Sequence, residues 1–437
     1  MKKITVIILA AGNGSRMKTL KNKLLLNIGQ KPIIDFVSKQ AADLHPNKIL
    51  WIANENTAPH IKDNNKFNQE IIIQSKSLGT GDAIKAVLNK LDHDENIIIL
   101  YGDVPFISND TLSQMIENLS HFNASILGFK PVDINNTYGK IQSIDNRIAT
   151  AIIEHKSITN DNQLSIVNAG IMCIKSEMLL EFIPRIERDY YTNQYHLTDI
   201  ISMIHDKYHN SVAVKITNHE ECIGINTTND LMKAEQYFQN CQRAKIIESN
   251  VILLDSSTNY FSFDTIIGEN TTIYPFNVFG KNVKIGAKCK ILSYCHMENV
   301  TIGNNNEIGP FARIRDNTII NDNIIIGNYT EIKESNIDND TKIKHFSYIG
   351  NTTIGSKTNI GAGTVICNYD GINKHQTTIG DNTFIGANTS LIAPITIGDN
   401  VKIAAGSTIA NSIDSNTLAI ARTSTILKKN NKKNKDK

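Results

Sequence analysis

Two groups of residues in this chain have the types and spacing to do chemistry. The first is the glycine-rich run LAAGNGSRM (Leu9 to Met17), which follows directly on an apolar stretch. Such a turn at the end of a strand offers backbone N–H groups to phosphates, and its glycines let a nucleotide approach closely. By itself a glycine loop is as often a tight turn as a phosphate cradle. Here Arg16 and Lys23 add two cations, and Gln74, LGTGDA (Leu78 to Ala83) and YGDVP (Tyr101 to Pro105) follow. Asp103 in the last of these is a hard oxygen ligand of the kind that suits Mg²⁺ beside phosphates. The run is no dinucleotide fingerprint, because Met17 stands where its third glycine belongs, and it lacks the Gly-Lys-Ser/Thr of a P-loop. The second group surrounds His345. A lone histidine is usually a surface residue, but this one has Tyr348, Asn359, Asn368 and Tyr369 after it and Lys333 and Arg315 before it. Imidazole as a class titrates near neutral pH and suits a general base.

The elements that must position these residues read differently in the two halves. In the first, Thr5 to Leu9, Lys48 to Ile52, Ile71 to Gln74 and Asn96 to Tyr101 are predicted strands. Helical patterns lie between them, and over Thr80 to Leu91 the residues Ala83, Ile84, Val87, Leu88 and Leu91 share one face. Alternating strands and helices imply a mostly parallel, Rossmann-like α/β sheet with ligands at the carboxyl ends of its strands. The regime changes near Gly224-Ile225-Asn226. Asn229 to Ile247 reads as a connecting helix with Leu231, Ala234, Phe238 and Cys241 on a stripe.

After that helix an isoleucine-and-glycine beat of six residues takes over, as in TIGDNTFIGANTSLIAPITIGDNVKI (Thr378 to Ile403). Three such units make one triangular coil of a parallel β-helix, usually left-handed. Ile273, Ile285, Ile302, Ile326, Ile354, Ile379 and Ile397 are expected to stack inside as an apolar column. Flat Ile-rich faces are expected to assemble the chain as a homotrimer. Stacking would bring Lys333 and Arg315, roughly one and two coils back, alongside His345. Gly361 and Gly380 are nineteen residues apart, one more than a clean coil, so CNYDG (Cys367 to Gly371) is expected to be extruded. Cys367 is either a buried small hydrophobe of the coil or a thiol reaching a cleft.

Composition narrows the class. The chain has 437 residues, more than one ordinary core, so two domains are the expectation. Its net charge of +2 has no basic face, which argues against nucleic acid or a membrane surface as partner. The six cysteines form no CxxC pair and no Cys/His ligand spacing, so reduced thiols and a cytoplasmic location are expected. MKKITVIILAAG mimics a signal peptide, but its apolar run is short and the residues after it have the better use given above. No run reaches transmembrane length. The tail KKNNKKNKDK reads as disordered.

With these motifs in order, the chain resembles a family over nearly its whole length. The first-half set, extended by IIEHK (Ile152 to Lys156), NAGIM (Asn168 to Met172), YHLTDII (Tyr195 to Ile201) and GIN (Gly224 to Asn226), looks like the sugar-1-phosphate nucleotidyltransferase half of the bacterial bifunctional N-acetylglucosamine-1-phosphate uridylyltransferase / glucosamine-1-phosphate N-acetyltransferases. GPFARIR (Gly309 to Arg315), EIK (Glu331 to Lys333), HFSYIG (His345 to Gly350), NIGAGTVICNYDG (Asn359 to Gly371), IAAGS (Ile403 to Ser407) and LAIAR (Leu418 to Arg422) match the other half.

The resemblance implies an uridylyltransferase domain over 1–226, a linker helix over 227–247, a left-handed β-helix acetyltransferase domain over 248–425 and a basic tail over 426–437. It implies that Leu9, Ala10, Ala11, Gly12, Gln74, Gly79 and Thr80 hold UTP, with Tyr101 and Gly102 in the same site. Arg16 and Lys23 would offset phosphate charge, with Arg16 catalytic. Gly139, Glu154 and Asn168 would take N-acetylglucosamine, and Asp103 and Asn226 would ligate Mg²⁺. In the second site His345 would be the base. Arg315, Lys333, Tyr348 and Asn359 would hold glucosamine 1-phosphate, and Glu331 is a candidate to orient the histidine. Ala362, Asn368, Tyr369, Ala387, Ala405 and Arg422 would lie along acetyl-CoA, partly from a neighbouring subunit. The implied product is UDP-N-acetylglucosamine, for peptidoglycan and lipopolysaccharide precursors. Two positions depart from the family. Lys21-Asn22-Lys23 replaces Leu-Pro-Lys, which predicts a looser lysine loop, and Ala387 stands where relatives can carry serine. Two rivals remain: a nucleotidyltransferase whose β-helix only trimerises or regulates, and a β-helix scaffold with a vestigial catalytic half.

Overall fold

The structure is a computed structural model that describes residues 2–12, 17, 22–63, 68–74, 76, 78–132, 138–154, 166–190 and 192–428. It divides into two compact units, Met1–Phe238 and Gln239–Lys437. In the first, the predicted strands are present as Lys3–Ala10, Lys48–Ala53, Gln69–Ile73 and Glu95–Tyr101. They lie side by side and parallel, with Lys3–Ala10 between Lys48–Ala53 and Glu95–Tyr101. Val6, Ile7 and Ile8 are fully buried, as expected of a strand covered on both faces. Beyond Glu95–Tyr101 the nine-stranded sheet turns mixed. Val167–Lys175 runs antiparallel to Glu95–Tyr101 and to Ala124–Phe129, and Val212–Thr217 returns parallel to the latter. The parallel character therefore belongs to the half that carries the glycine loop.

The helix expected over Thr80–Leu91 is shorter. It is α-helical over Thr80–Lys85, and a 3-10 turn covers Leu88–Lys90. Ala83, Ile84 and Val87 are buried all the same, so the apolar stripe governs packing while the last turn tightens. A longer helix, Thr228–Glu248, crosses the division of the chain. Its Ala234 and Phe238 pack with Ile28, Ile33 and Ile225 of the first unit. Its Gln239 serves the second unit, donating from Nε2 to the Phe261 carbonyl at 2.8 Å and accepting the Phe261 N–H at 2.9 Å. A side chain thereby satisfies backbone groups that the first coil would otherwise leave bare.

The second unit is a β-helix of three stacked sheets of parallel strands, ten, nine and eight strands deep. The first face runs from Ile252–Leu253 to Leu418–Ala419, the second from Tyr260–Phe261 to Thr408–Ile409, and the third from Ile266–Ile267 to Ile395–Ile397. The predicted isoleucine column is two columns. Ile273 and Ile326 point inward from the first face, and Ile285, Ile302, Ile354, Ile379 and Ile397 from the third. All are at most 3% exposed and join one core with Phe279, Ile314 and Ile332. Each fully buried isoleucine contributes about 1.5–3 kcal/mol.

The outward faces are not rich in isoleucine. Lys284, Thr301, Ile319, Asn336, Thr353, Thr378 and Thr396 follow one another up the third face. The six-residue beat sends its isoleucines inward and leaves the alternate position to water. Exposed apolar surface gathers instead at the corner between the first and second faces. There Phe276, Tyr294, Phe311, Tyr329 and Phe346, all with positive φ, stack with ring centroids 4.9–5.4 Å apart. The same corner continues with Gly363, Asn388 and Gly406, which also have positive φ.

The coil from Ile354 to its register partner Ile379 takes 25 residues, against 17 and 18 for the coils ending at Ile354 and Ile397. The insertion is therefore much longer than the single residue read from Gly361 and Gly380. Those two glycines follow different faces, so their spacing does not measure a coil. No helix among the described residues is long and apolar enough to cross a membrane.

Candidate active sites

The carboxyl ends of the two adjacent central strands, Lys3–Ala10 and Glu95–Tyr101, open into a cleft of about 760 Å³, including its space open to solvent. It is lined by ten of the residues read from sequence: Leu9, Ala10, Ala11, Gly12, Lys23, Gln74, Gly79, Thr80, Tyr101 and Asp103. Gly102 lies behind them, its N–H donating to the Leu9 carbonyl at 2.9 Å, and a Cβ there would sit 3.2 Å from Leu24 Cδ1. Arg16 lies outside the described residues, as do residues 13–15 of the glycine loop.

Lys23 is 8% exposed and bridges the two residues implied to bind metal. Its Nζ donates to Asp103 Oδ2 at 2.5 Å and to Asn226 Oδ1 at 2.9 Å. Two hard oxygens thus converge on one cation position, and an ammonium fills it. Among the described residues no group of three or more His, Cys, Asp or Glu could hold a metal ion. One carboxylate and one amide oxygen fit a cation that completes its shell with water and phosphate, as Mg²⁺ does. The loop expected to loosen without proline is capped: Asn22 Oδ1 accepts the Leu24 N–H at 3.0 Å, and Asn22 has φ −56°. That is the φ a proline would impose.

Gly139, Glu154 and Asn168 gather apart from this cleft lining. The Asn168 N–H donates to the Gly139 carbonyl at 2.8 Å, and a Cβ on Gly139 would lie 3.7 Å from Glu154 Oε2. Glu154 Oε1 accepts from the Thr198 hydroxyl at 2.8 Å. Tyr101 joins the two groups, sharing a hydrogen bond with Thr80 and facing Gly170, where a Cβ would meet its ring at 2.9 Å. Burial, reinforced by the charges of Asp103 and Glu154, pushes the Tyr101 phenol far up, so it stays a neutral donor.

On the β-helix, coil register does the positioning. His345 ends the strand Lys342–His345 of the first face and is exposed. Its carbonyl accepts the Gly363 N–H at 3.2 Å. Asn388 then donates to the Ala362 carbonyl at 2.7 Å, Gly406 to that of Ala387 at 2.8 Å, and Arg422 Nη1 to that of Ala405 at 3.0 Å. His345, Ala362, Ala387, Ala405 and Arg422 therefore stand in one file up one corner, smooth above Phe346 because the side chains are small. His345 Nδ1 lies 2.8 Å from Asn328 Oδ1. An amide oxygen only accepts, so Nδ1 carries the proton and Nε2 keeps the lone pair. Glu331, the residue expected to orient the histidine, is taken by Arg315, whose Nε and Nη2 donate to its Oε1 at 2.9 and 2.8 Å.

Arg315, Lys333 and Tyr348 share the second face: Arg315 is the register partner of Lys333, and Tyr348 that of Glu331. Asn359 lies on the first face beside Lys342. Above Lys333 comes Gly350, where a Cβ would lie 2.6 Å from Asn368 Nδ2 and 2.7 Å from the Tyr348 hydroxyl. The extruded loop begins after Cys367, at the far edge of this face from His345. Cys367 is half-buried and points outward, since Ile366 takes the inward position. Asn368 is 5% exposed and donates to Asn351 Oδ1 at 2.7 Å, whereas Tyr369 is 61% exposed. The loop is closed by Asp370, which accepts the N–H groups of Ile372 and Asn373 and pairs with His375 Nε2 at 2.6 Å.

Some residues of these sites were not read from sequence. Gln194 and His196 line the cleft, brought there because the Tyr195 carbonyl accepts the Gly81 N–H at 2.8 Å. Asp82 Oδ2 accepts from Gln74 Nε2 at 2.8 Å. Asn328 holds the histidine. Lys374 comes from the loop to lie beside Lys333; that neighbouring amine and burial push the Lys333 ammonium below the usual lysine range. The nearest signal in sequence was the polar loop itself.

Comparison with known proteins agrees with this division. Residues 6–133 match the MobA-like NTP transferase domain. Residues 264–298 and 376–411 match the bacterial transferase hexapeptide (six repeats), and 296–385 match the GMPPB C-terminal domain. The bifunctional protein GlmU of Wolbachia pipientis wMel is 42% identical over 428 residues, covering 97% of this chain and 98% of that protein. GlmU of Anaplasma marginale (strain Florida) is 36% identical over 423 residues, covering 95% and 96%. GlmU of Acinetobacter baylyi is 34% identical over 444 residues, covering 98% and 97%.

Proposed function

This chain belongs to the family of the bifunctional protein GlmU, and on that premise we propose the two reactions its sites perform. It acetylates glucosamine 1-phosphate from acetyl-CoA, then transfers UMP from UTP to N-acetylglucosamine 1-phosphate. The products are UDP-N-acetylglucosamine and pyrophosphate, for peptidoglycan and lipopolysaccharide precursors in the cytoplasm. The observation that carries the reading is the file from His345 to Arg422, because neither a scaffold nor a trimerising stalk needs a free imidazole nitrogen at the foot of a file of small residues.

In the uridylyl step a sugar-phosphate oxygen, already ionised, attacks the α-phosphorus of UTP in line and pyrophosphate leaves, so no protein nucleophile is required. The barrier lies in bringing anions together, and positioning with cations lowers it. Backbone from Leu9 to Gly12 cradles the phosphates and Gln74, Gly79 and Thr80 hold the nucleoside. Gly139, Glu154 and Asn168 hold the sugar. Asp103 and Asn226 would hold Mg²⁺, which would supply charge against the phosphates and the leaving group. Lys23, whose Nζ takes that position between the two oxygens here, would give it up to the metal and turn to the phosphates, where Arg16 adds a second cation. The domain bounds follow: uridylyl transfer in 1–226, a linker helix in 227–247 and acetyl transfer in 248–425.

In the acetyl step the 2-amino nitrogen of glucosamine 1-phosphate attacks the thioester carbon. His345 Nε2 takes its proton, the C–N bond forms, and CoA leaves as the C–S bond breaks. Arg315, Lys333, Lys374 and Tyr348 hold the sugar phosphate across the second face, with Asn359 on the sugar. Ala362, Ala387, Ala405 and Arg422 line acetyl-CoA, and Ala387 gives it no hydroxyl contact. Asn368 and Tyr369 stand at the opposite edge of that face, so the cofactor meets them on a neighbouring copy, and the active form is a homotrimer. One assay with two readouts tests the whole: free CoA from glucosamine 1-phosphate and acetyl-CoA, and pyrophosphate from UTP and N-acetylglucosamine 1-phosphate. Both signals are expected from the purified chain. Pyrophosphate without CoA would leave the β-helix a stalk, and neither signal would leave the whole chain a scaffold.

A further inference from the structure

Asp82 decides which way round the Gln74 amide sits. Gln74 lines the nucleotide cleft, and its Nε2 donates to Asp82 Oδ2 at 2.8 Å. An ionised carboxylate offers acceptors only, so the amide end facing it must be the NH₂ group, and the opposite end must be the carbonyl oxygen. Neither partner is loosely held. Asp82 lies in the first turn of the helix Thr80–Lys85, where Gly81 N–H donates to Tyr195 O at 2.8 Å and Thr80 Oγ1 accepts the Leu197 N–H at 3.0 Å. Gln74 is tied to the sheet by its own N–H, which donates to the Ala53 carbonyl at 2.9 Å.

We propose that the Asp82–Gln74 pair is a base selector, with Gln74 reading the pyrimidine edge and Asp82 acting as its positioning residue. With Nε2 committed to Asp82, Gln74 presents its oxygen as an acceptor, with the second Nε2 hydrogen as a donor beside it. Uracil complements this order, because its N3–H donates and its neighbouring carbonyl oxygens accept. Cytosine opposes it, because N3 accepts and the 4-amino group donates. To serve cytosine the amide must turn over, which points Oε1 at the Asp82 carboxylate and gives up a charge-assisted hydrogen bond. This inference rests on the reading that the cleft takes UTP.

The test compares kcat/KM for UTP and CTP, by pyrophosphate release, in the parent, Asp82→Asn and Asp82→Ala, with CoA release confirming that each variant is folded. Calorimetric titration of UTP and CTP gives the same comparison without turnover. Asparagine donates as readily as it accepts, so the amide is freed to turn, and the CTP-to-UTP ratio is expected to rise about tenfold or more. A ratio that stays put while both nucleotides fall together would show that Asp82 only supports the helix, which overturns the inference and leaves uridylyl transfer standing. A parent that neither binds UTP nor releases pyrophosphate from it would overturn both.

Discussion

The two units position their chemistry by different means. In the first, contacts join residues far apart in sequence: Lys23 reaches Asn226 across 203 positions and Asp103 across 80. Strand ends and loops bring them together, and each contact is set one at a time. In the second, the coil register does the work, and His345, Ala362, Ala387 and Ala405 fall in file because each coil repeats the last. Substitutions in the first site therefore act through a single contact, while a shift of register in the second would move a whole file. The lesson is that a solenoid makes its site cheaply, by repetition, and needs an interruption such as the 368–376 loop to make it specific.

The largest effect that separates the two regions is expected from His345→Ala. CoA release should fall about 10³-fold, the range of a positioned general base, while pyrophosphate release stays within twofold. Equal loss of both activities in a folded variant would break the separation. Asp103→Asn comes next, and should lower pyrophosphate release about 10²-fold through weakened charge against the phosphates. Acetyl transfer should continue in EDTA; its arrest under chelation, with the fold intact, would mean that the second site also depends on metal.

A smaller effect sharpens the account of the second face. A Cβ on Gly350 would lie 2.6 Å from Asn368 Nδ2 and 2.7 Å from the Tyr348 hydroxyl, so Gly350→Ala must displace one of them. The KM for glucosamine 1-phosphate should rise about tenfold, as for one lost hydrogen bond to a charged ligand, with KM for UTP unmoved. An unchanged KM in both Gly350→Ala and Tyr348→Phe would show that Tyr348 does not hold the sugar phosphate.

The smallest effect concerns pH. In the proposed site Lys333 meets the phosphate as its ammonium, and the neighbouring Lys374 amine, with burial, lowers its pKa. Binding should therefore weaken as pH rises through a value below the usual lysine range. Lys374→Gln removes the main cause of the lowering, so the alkaline limb of kcat/KM for acetyl transfer should move to higher pH while KM rises a few-fold. A limb that stays in place would detach Lys374 from Lys333.

The β-helix was legible because a six-residue beat leaves few alternatives: Ile273 and Ile285 could be placed inside from spacing alone. The same beat misled where faces were confused, since Gly361 and Gly380 belong to different ones and concealed the length of the loop. The cleft was legible as motifs, and ten of its lining residues were named from them. Its supporting contacts were not, because Asp82 and His196 act through fold-dependent neighbours that no local pattern encodes. Asn328 escaped for a related reason: it stands a full coil before the histidine it orients, where Glu331 looked equally near but is held on the second face by hydrogen bonds from Arg315.

The central claim is that each chain contributes to two separable sites, the second completed by a neighbouring copy, and that only a diffusing intermediate joins them. It is tested by mixing Asp103→Asn with His345→Ala and supplying glucosamine 1-phosphate, acetyl-CoA and UTP. Each variant alone should make almost no UDP-N-acetylglucosamine. Together they should make it after a lag, as N-acetylglucosamine 1-phosphate released by the first accumulates for the second. A mixture as inactive as its parts, with both proteins folded, would contradict the account.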